Sequence, residues 1–423
     1  MNNLKILLKM ATDKKVLKSL LETYHLLKDD PNFTLIKYMK MMQGILKGEK
    51  LVAHEDVYIL STFFPPFPTE AFIQNIIAVD APIEIFTKQI YAKRTAPISM
   101  YLCVTNKCPN NCVYCSAAQR QSEQELTTEE WIKLLEDLQN MHIPIIGLTG
   151  GEPMIREDIY ELLKAIDDRS VVILFTSGFN LTYERAQMLK SSGLFGIGIS
   201  LDSHDKTIHN RNRNDDRAFD YALDALKNAS KAGIYTMAQT VILKDQVDEE
   251  SLFKLFRLAY KNGAHEVKIL EPILSGNLLA EEDASKILYS TDDRKKLIAI
   301  QHKANKRNDM PKITSFAYTE SEAKFGCGAG NQHSYISASG ELYPCDFVPM
   351  RFGNVKDRPI SELWLEMNQN IGIPKTKCFA QEVNRKVFIA SDGILPLAKS
   401  DSVEICMKHR SERFPKYYRD LQK

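Results

Sequence analysis

Two hydrophobic patterns alternate along the middle of the chain. Between about residues 96 and 280, short apolar runs typical of buried strands are followed by longer stretches whose apolar residues recur every three or four positions, as in amphipathic helices. This alternation predicts a parallel sheet with right-handed crossovers. The predicted strands are 98–104, 143–148, 171–176, 196–200, 235–243 and 266–271, and the clearest predicted helices are 128–141, 155–166, 183–192, 219–232 and 250–262.

The series of six strand and helix units predicts the fold class. Units of this length close into a full or partial barrel, so we expect an α/β protein with a partial (β/α)6 TIM-like barrel at residues 96–280. Functional sites in such barrels lie at the C-terminal ends of the strands. The loops that follow the predicted strands should therefore share one rim.

Residues 1–95 predict a helical N-terminal extension. Asp13 is a candidate N-cap for a first helix, and Asp30 with Pro31 predicts the start of a second helix that ends at Gly48. In each of these two helices the apolar residues share one face, with Leu17, Leu20, Leu21, Tyr24 and Leu27 in the first and Leu35, Tyr38, Met42, Ile45 and Leu46 in the second.

The proline-rich run 63–68 does not suit a helix, and it is expected either to drape over the core or to line a substrate mouth.

The first 50 residues carry ten lysines against five acidic residues. One interpretation is an extension packed on the catalytic domain, with its lysines in solvent. The other is a basic amphipathic pair of helices that makes peripheral contact with an anionic membrane or an acidic partner. The sequence leaves both open.

The chain as a whole is nearly neutral, and this limits its function classes. Its 423 residues are 44% hydrophobic and 26% charged, with a formal net charge of +1. A nucleic-acid binder would be expected to carry a strongly basic domain, so we expect no nucleic-acid partner. The sequence has no apolar run of eighteen residues and no signal-peptide pattern, which predicts a cytoplasmic protein. Eight cysteines in that compartment favour reduced thiols and metal over disulfides.

Three of these cysteines, Cys108, Cys112 and Cys115, fall within eight residues directly after the first predicted strand. A loop this short can direct three thiolates at one iron-sulfur cluster and leave the fourth iron open to a ligand. A zinc site or plain reduced thiols would explain the same cysteines. Cys103, inside the predicted strand, is expected to be a buried thiol.

A second candidate motif follows the second predicted strand, at Gly150, Gly151, Glu152 and Pro153. Two glycines allow a sharp turn and a close approach of the backbone to a ligand. The Glu152 carboxylate beside main-chain groups suits a ligand that carries an ammonium group. On its own, such a sequence is an ordinary turn.

The two motifs together resemble the radical S-adenosylmethionine (SAM) superfamily. The spacing Cys-x3-Cys-x2-Cys with Tyr114 before the last cysteine, and a Gly-Gly-Glu-Pro turn after the next strand, are its pattern. The resemblance implies a 4Fe-4S cluster held by Cys108, Cys112 and Cys115, and SAM bound through its amino group at the glycine turn. We assign no catalytic side chain beyond the cluster ligands, because the cofactor carries the difficult step.

The resemblance extends to later strand ends. Ser177 follows the third strand, and Ser200 and Asp202 end the fourth with hydroxyl and carboxylate groups that would hold the ribose of SAM. A His and an Arg follow in the related enzymes, and they match His209 and Arg213. The implied role of Arg213 is contact with the SAM carboxylate. Asn214 stands where the family usually has Gly.

The C-terminal part carries four further cysteines. After a predicted helical linker at 281–320, residues 321–423 resemble the SPASM and twitch extensions of radical SAM enzymes, with a Ser339-Gly340 hairpin that brings Cys345 back towards Cys327. Too few cysteines are present for two clusters, so the resemblance favours one auxiliary iron-sulfur cluster in a small α+β domain. Its expected ligands are Cys327, Cys345, Cys378 and Cys406, although four dispersed cysteines would also suit zinc.

These expectations define a radical SAM enzyme that reductively cleaves SAM to a 5'-deoxyadenosyl radical and removes hydrogen from a substrate. The predicted substrate is a peptide or protein undergoing modification, because enzymes with such extensions commonly act on them. A small molecule or lipid is the alternative, and a non-catalytic zinc or iron-sulfur scaffold is a third. A low-potential electron donor such as flavodoxin or ferredoxin is the further expected partner.

Overall fold

A nine-stranded sheet organises the structure, a computed structural model that describes residues 3–77, 84–90, 92–118 and 124–423. The strand order is β11-β10-β3-β4-β5-β6-β7-β8-β9. The strands are β3 (Ser99–Thr105), β4 (Ile145–Gly150), β5 (Val171–Thr176), β6 (Gly196–Ser200), β7 (Tyr235–Val241), β8 (Glu266–Leu270), β9 (Lys312–Ser315), β10 (His333–Ile336) and β11 (Leu342–Tyr343).

Strands β3 to β9 are parallel and lie in chain order, which confirms the predicted partial TIM-like barrel and its six strands. β10 then pairs parallel with β3, and β11 pairs antiparallel with β10. Helices cover the outer face: α6 (Thr128–Asn140), α7 (Ile159–Lys164), α8 (Tyr183–Ser191), α9 (Lys206–Arg213), α10 (Ala218–Lys231), α11 (Glu249–Lys261), α12 (Ala284–Ile287), α13 (Thr291–Asn305) and α14 (Phe316–Thr319).

The predicted linker 281–320 is instead part of the barrel architecture. It contributes β9, which extends the sheet beside β8, and α13, which packs on β9. The four-residue strand was too short to give a recognisable alternation. The polar stretch around His209 forms helix α9, whose N-cap is Asp205 and which buries His209.

The N-terminal extension is mostly helical, as predicted, with α1 (Asn3–Thr12), α2 (Lys14–Leu27), α3 (Leu35–Leu46), α4 (Glu70–Ile77) and α5 (Ile85–Ile90). It also contains an unpredicted hairpin of β1 (Val52–His54) and β2 (Val57–Ile59). Ile59 packs with Ile98 and Ile145, so the hairpin closes the end of the barrel opposite the expected site rim. Residues 1–2, 78–83 and 91 of the predicted extension lie outside the described residues.

Asp13 caps α2 as predicted, but the predicted Asp30 cap of the next helix was wrong. Helix α3 begins after Thr34, which caps it, while Asp30 bonds to Thr87 instead. The leucine face of α2 is not packed on the domain: Leu27 is buried, whereas Leu17, Leu20, Leu21 and Tyr24 are exposed.

The C-terminal segment adds α15 (Ile360–Ile371), α16 (Phe379–Ala390), α17 (Lys399–Lys408) and α18 (Lys416–Gln422). Its predicted hairpin is present as β10 and β11. Because β10 bonds directly to β3, the segment with the last cysteines lies beside the strand that leads into the first cysteine loop.

Candidate active site

The loop of Cys108, Cys112 and Cys115 lies at the C-terminal end of β3, as predicted. Cys108 is exposed, and the other two thiols are half-buried. Although Cys108 reaches solvent, the protein around its thiol displaces much of the water and raises its pKa to about 11, with smaller contributions from Glu152, Cys112 and Cys115. Since a metal binds thiolates, iron would have to displace protons here. Three thiols close enough to affect one another on one accessible loop fit an iron-sulfur cluster.

The glycine turn after β4 packs directly against the start of this loop. Gly151 N–H donates to the Thr105 carbonyl at 2.6 Å, and Glu152 N–H donates to the Lys107 carbonyl at 2.8 Å. A Cβ at Gly151 would collide with the Lys107 carbonyl. The contact between these two loops therefore requires glycine at position 151. This requirement is separate from any approach of the turn to a ligand.

The Glu152 carboxylate is buried and occupied by protein donors. One oxygen accepts from Thr176 Oγ1 at 2.6 Å and the other from the Ser177 N–H at 2.7 Å and Ser177 Oγ at 2.6 Å. Burial raises the pKa of Glu152, while these hydrogen bonds oppose the rise. Glu152 thus joins the ends of β4 and β5, and a SAM ammonium would meet the main chain of the turn rather than this carboxylate.

The Asp202 carboxylate is likewise hydrogen-bonded to protein groups. It receives Arg213 Nε at 2.8 Å and Arg213 Nη2 at 3.0 Å, and it also accepts from the Tyr114 hydroxyl. The Arg213 guanidinium lies over the Tyr114 ring, and its Nη1 is 3.7 Å from Cys112 Sγ. Arg213 and His209 lower the pKa of Asp202 against the opposing effect of burial. This group positions the cysteine loop through Tyr114.

A third segment also holds the cysteine loop. Asn277, in the turn after β8, donates its main-chain N–H to the Cys115 carbonyl at 3.1 Å and its side-chain amide to the Cys112 carbonyl at 2.8 Å. Gly276 has φ +49, and a Cβ there would collide with the Cys115 carbonyl. No spacing pattern in the sequence marked Asn277.

Of the predicted SAM-binding residues, the structure brings together the turn 150–153 with Ser177 at the ends of β4 and β5. It brings Asp202 and Arg213 together with Tyr114 of the cysteine loop. Ser200 lies at the end of β6, half-buried beside Gln239 of β7.

A cavity lies inside the barrel and reaches the C-terminal segment. Phe63 and Phe64 line it, so the run at 63–68 contributes to a cavity wall, one of its two expected roles. Lys268 of β8 projects into an aromatic wall, with Nζ 3.3 Å from the Tyr101 hydroxyl and 5.1 Å from the Phe316 ring centroid. Sequence patterns did not indicate Lys268, which stands between Val267 and Ile269 in a short strand.

Three of the four predicted auxiliary ligands line this cavity: Cys327, Cys345 and Cys378. A hydrogen bond with Cys378 lowers the pKa of Cys327, and burial raises the pKa of Cys345. Three thiols that converge on one cavity fit an iron-sulfur cluster there. Cys406 is not among the cavity residues; it is fully buried in α17 within the main core.

Comparison with known proteins identifies the class. Residues 102–256 match the radical SAM superfamily, and residues 327–385 match the SPASM iron-sulfur cluster-binding domain. The chain is therefore a radical SAM superfamily enzyme with a C-terminal SPASM-type domain. Its cofactors are a SAM-binding 4Fe-4S cluster, SAM and auxiliary iron-sulfur.

Among curated relatives, the AdoMet-dependent heme synthase of Methanosarcina barkeri is 28% identical over 62% of this chain and 80% of that protein. The AdoMet-dependent heme synthase of Nitratidesulfovibrio vulgaris is 26% identical over 62% of this chain and 77% of that protein.

Among solved structures, Streptococcus suis SuiB bound to S-adenosylmethionine aligns with a TM-score of 0.54 and 17% identity over 66% of this chain and 68% of that chain. Native anSMEcpe with bound AdoMet and a peptide aligns with a TM-score of 0.52 and 18% identity over 77% and 99%. These structures share the fold.

Within the described residues, no helix is long and apolar enough to cross a membrane.

Proposed function

We propose that this enzyme cleaves SAM at a cluster held by Cys108, Cys112 and Cys115 and removes hydrogen from a substrate in the barrel cavity. The observation that carries the proposal is the position of the cavity, which lies within the barrel and ends at Cys327, Cys345 and Cys378. A bound 4Fe-4S cluster supplies the low-potential electron that converts SAM to methionine and a 5'-deoxyadenosyl radical. The chain itself positions the substrate and excludes water.

The cavity favours a small molecule as the substrate. Aromatic side chains form much of its wall, as in many small-molecule sites. The buried Lys268 ammonium would pair with an anionic group of the substrate, while burial raises the pKa of nearby Glu320 well above its usual range. The heme synthase relatives also take a non-peptide substrate by name.

A peptide or protein substrate is the second candidate. The support is the shared fold with SuiB, which has been solved with its precursor peptide SuiA, and with anSMEcpe, solved with a peptide. Under this reading, one side chain of the peptide would enter the cavity beside Lys268.

The first test is anaerobic reconstitution with iron and sulfide, followed by iron analysis and a 5'-deoxyadenosine assay with SAM and dithionite. We expect about eight irons per chain and nucleoside formation, with about four irons and no nucleoside in Cys115→Ala. Cys103→Ala is the matched control, since this buried thiol lies in β3 outside the loop. A loaded wild-type enzyme that never forms the nucleoside would contradict the proposal.

The substrate classes are separated by adding cell extract to the loaded enzyme, either as a filtrate free of proteins or as the retained fraction. Stimulation of 5'-deoxyadenosine formation by the filtrate, unchanged by protease treatment and lost in Lys268→Met, is expected for an anionic small molecule. Stimulation by the retained fraction, or loss after protease treatment, favours the peptide. Lys254→Met, at an exposed lysine of α11, is the control.

A further inference from the structure

One of the three auxiliary thiols, Cys345, also belongs to a group of side chains that could hold a metal ion. One donor atom each of His333, Cys345 and Asp346 lies within 4.8 Å of the others. Asp346 Oδ1 is at the centre, 3.1 Å from Cys345 Sγ and 3.2 Å from His333 Nε2. All three residues line the cavity that Cys327 and Cys378 also line.

The histidine is fixed in one orientation. Its Nδ1 is 2.9 Å from Ser99 Oγ at the start of β3, and its ring meets the Tyr101 ring edge to face at 4.6 Å between centroids. An ionised Asp346 carboxylate can only accept a hydrogen bond, so Nε2 carries the proton that it donates to Asp346, and Nδ1 is left to accept from Ser99. A histidine that holds a carboxylate in this way is an outer-shell partner of a metal ligand rather than a ligand.

Cys406 cannot reach the cavity as a fourth ligand without rearrangement of the core. It is 0% exposed in α17. The Lys375 ammonium interacts with both Cys327 and Cys406 and donates to the His409 carbonyl at 2.9 Å. The chain thus offers three thiols and one carboxylate at the cavity, with the fourth thiol outside it.

We propose that the auxiliary cluster is held by Cys327, Cys345 and Cys378, with the Asp346 carboxylate as the fourth protein ligand and His333 as its positioning residue. This proposal rests on the auxiliary cluster of the proposed function. An oxygen donor suits iron-sulfur clusters less well than a thiolate. The iron bound by Asp346 is therefore the exchangeable one, at the wall of the substrate cavity.

The test uses the full chain, reconstituted anaerobically, as wild type, Asp346→Ala, Asp346→Cys and Cys406→Ala. We expect about eight irons in wild type and Cys406→Ala, and about seven in Asp346→Ala, with the EPR signal of a three-iron cluster after mild oxidation. Asp346→Cys restores eight irons with a lower midpoint potential for the auxiliary cluster.

Loss of about four irons in Cys406→Ala, or an Asp346→Ala EPR spectrum identical to wild type, would overturn the assignment. SAM cleavage is measured in parallel in every variant. Failure of wild type to cleave SAM contradicts the proposed function, whereas iron content and EPR still report on the ligand, so the two failures are distinguishable.

An independent observation concerns the first three helices. Half of the exposed large hydrophobic side chains of the described residues lie between residues 4 and 39. We call these the N-terminal apolar face, and its members are 38% to 69% exposed: Leu4, Leu7, Leu8, Leu17, Leu20, Leu21, Tyr24, Leu35, Ile36 and Met39. A patch of this composition marks an interaction site.

Helix α2 shows that this face is not a by-product of packing. It buries Ser19 and Thr23, whose hydroxyl oxygens have no hydrogen-bond partner among the described residues, and turns Leu17, Leu20 and Leu21 outward. The usual preference is the reverse. Another apolar phase must therefore cover the leucine side of the helix.

The charge of the surrounding residues indicates which phase. Lys14, Lys18, Lys28, Lys37 and Lys40 are on or beside the same helices. Helices of 10, 14 and 12 residues are too short to span a bilayer, but short helices that expose leucines with lysines beside them lie in its interface. Anionic lipid complements the lysines.

We propose that the N-terminal apolar face binds the surface of an anionic lipid bilayer. The test is flotation of the full chain with phosphatidylglycerol-containing vesicles and with pure phosphatidylcholine vesicles. We expect flotation with the anionic vesicles, weakened by salt, and at least tenfold weaker binding of Leu8→Ser/Leu21→Ser/Ile36→Ser and of Lys14→Glu/Lys37→Glu/Lys40→Glu.

Ile389→Ser/Ile394→Ser is the matched control, because these side chains are as exposed, at 73% and 60%, but belong to the C-terminal segment. Unchanged binding of the leucine variant, or no binding of wild type, overturns the proposal. A concentration-dependent dimer that the leucine variant abolishes, without vesicle binding, would assign the face to a second copy of the chain.

Discussion

At the residue scale, the acidic groups of the rim act mainly on other protein groups. Glu152 and Asp202 both stand at strand ends where ligands bind, yet each is buried and hydrogen-bonded on both oxygens. The sequence placed them at the right rim, because strand ends can be located from hydrophobic pattern. It could not show which of their carboxylate oxygens face solvent. That depends on where the tertiary fold places Thr176, Arg213 and Tyr114, which belong to other strand and loop segments.

Asp202→Asn should detach the cysteine loop from the barrel. The change leaves the buried Arg213 guanidinium without its charged partner, and breaking a buried pair in this way costs about 3–5 kcal/mol. We expect a lower melting temperature and selective loss of the SAM cluster, from about eight irons to about four, measured by calorimetry and iron analysis. Asp224→Asn, on the exposed side of α10, should change neither value.

Gly151→Ala should disturb the same loop from the other side. The new methyl group meets the Lys107 carbonyl, a backbone atom that cannot rotate away, so residues 105–108 must shift. We expect a loss of about 1–3 kcal/mol in unfolding free energy and weaker SAM binding, measured by denaturant titration and equilibrium dialysis. Gly196→Ala is the control, because its nearest neighbour would be 3.4 Å away. Equal effects of both changes would argue against the loop contact.

At the element scale, long periodic segments were predictable and short ones were not. The strands 171–176 and 196–200 agree with the structure at both ends, because each is a buried run bounded by turns. Strands β1, β2 and β9 were missed, since three or four residues carry too little periodicity. The leucine face of α2 was predicted correctly as apolar. An amphipathic pattern does not show, however, whether such a face packs on protein or contacts another phase.

The N-terminal elements are joined to the barrel by a buried ion pair that a double-mutant cycle can measure. Lys312 of β9 bonds to Glu49, and both side chains are fully buried. Removal of one partner leaves a buried charge unpaired, so Glu49→Gln and Lys312→Met should each cost about 3–5 kcal/mol of unfolding free energy. The double variant should lose much less than the sum, as seen in denaturant unfolding. Additive losses would show that the pair does not couple the two elements.

At the scale of the whole molecule, the cysteine spacings predicted two clusters but not their complete ligand sets. Cys108, Cys112 and Cys115 share one short loop, so chain connectivity alone brings them together. Cys327, Cys345 and Cys378 meet through the β10–β11 hairpin and α16, and the hairpin was predictable from Ser339-Gly340. The position of Cys406 depends on how α17 packs, which no local pattern encodes.

The pairing of β10 with β3 makes the two halves of the molecule dependent on one another. β10 pairs in parallel with residues 99–102 of β3. A chain cut after residue 320 would therefore leave this edge of β3 unpaired immediately before the cysteine loop. We expect this fragment to be largely insoluble and, where soluble, to hold well under four irons, whereas Cys345→Ser in the full chain should keep about four. A soluble, monomeric fragment with four irons that cleaves SAM would instead show that the barrel folds without β10, and that the C-terminal segment serves only the auxiliary cluster and the substrate cavity.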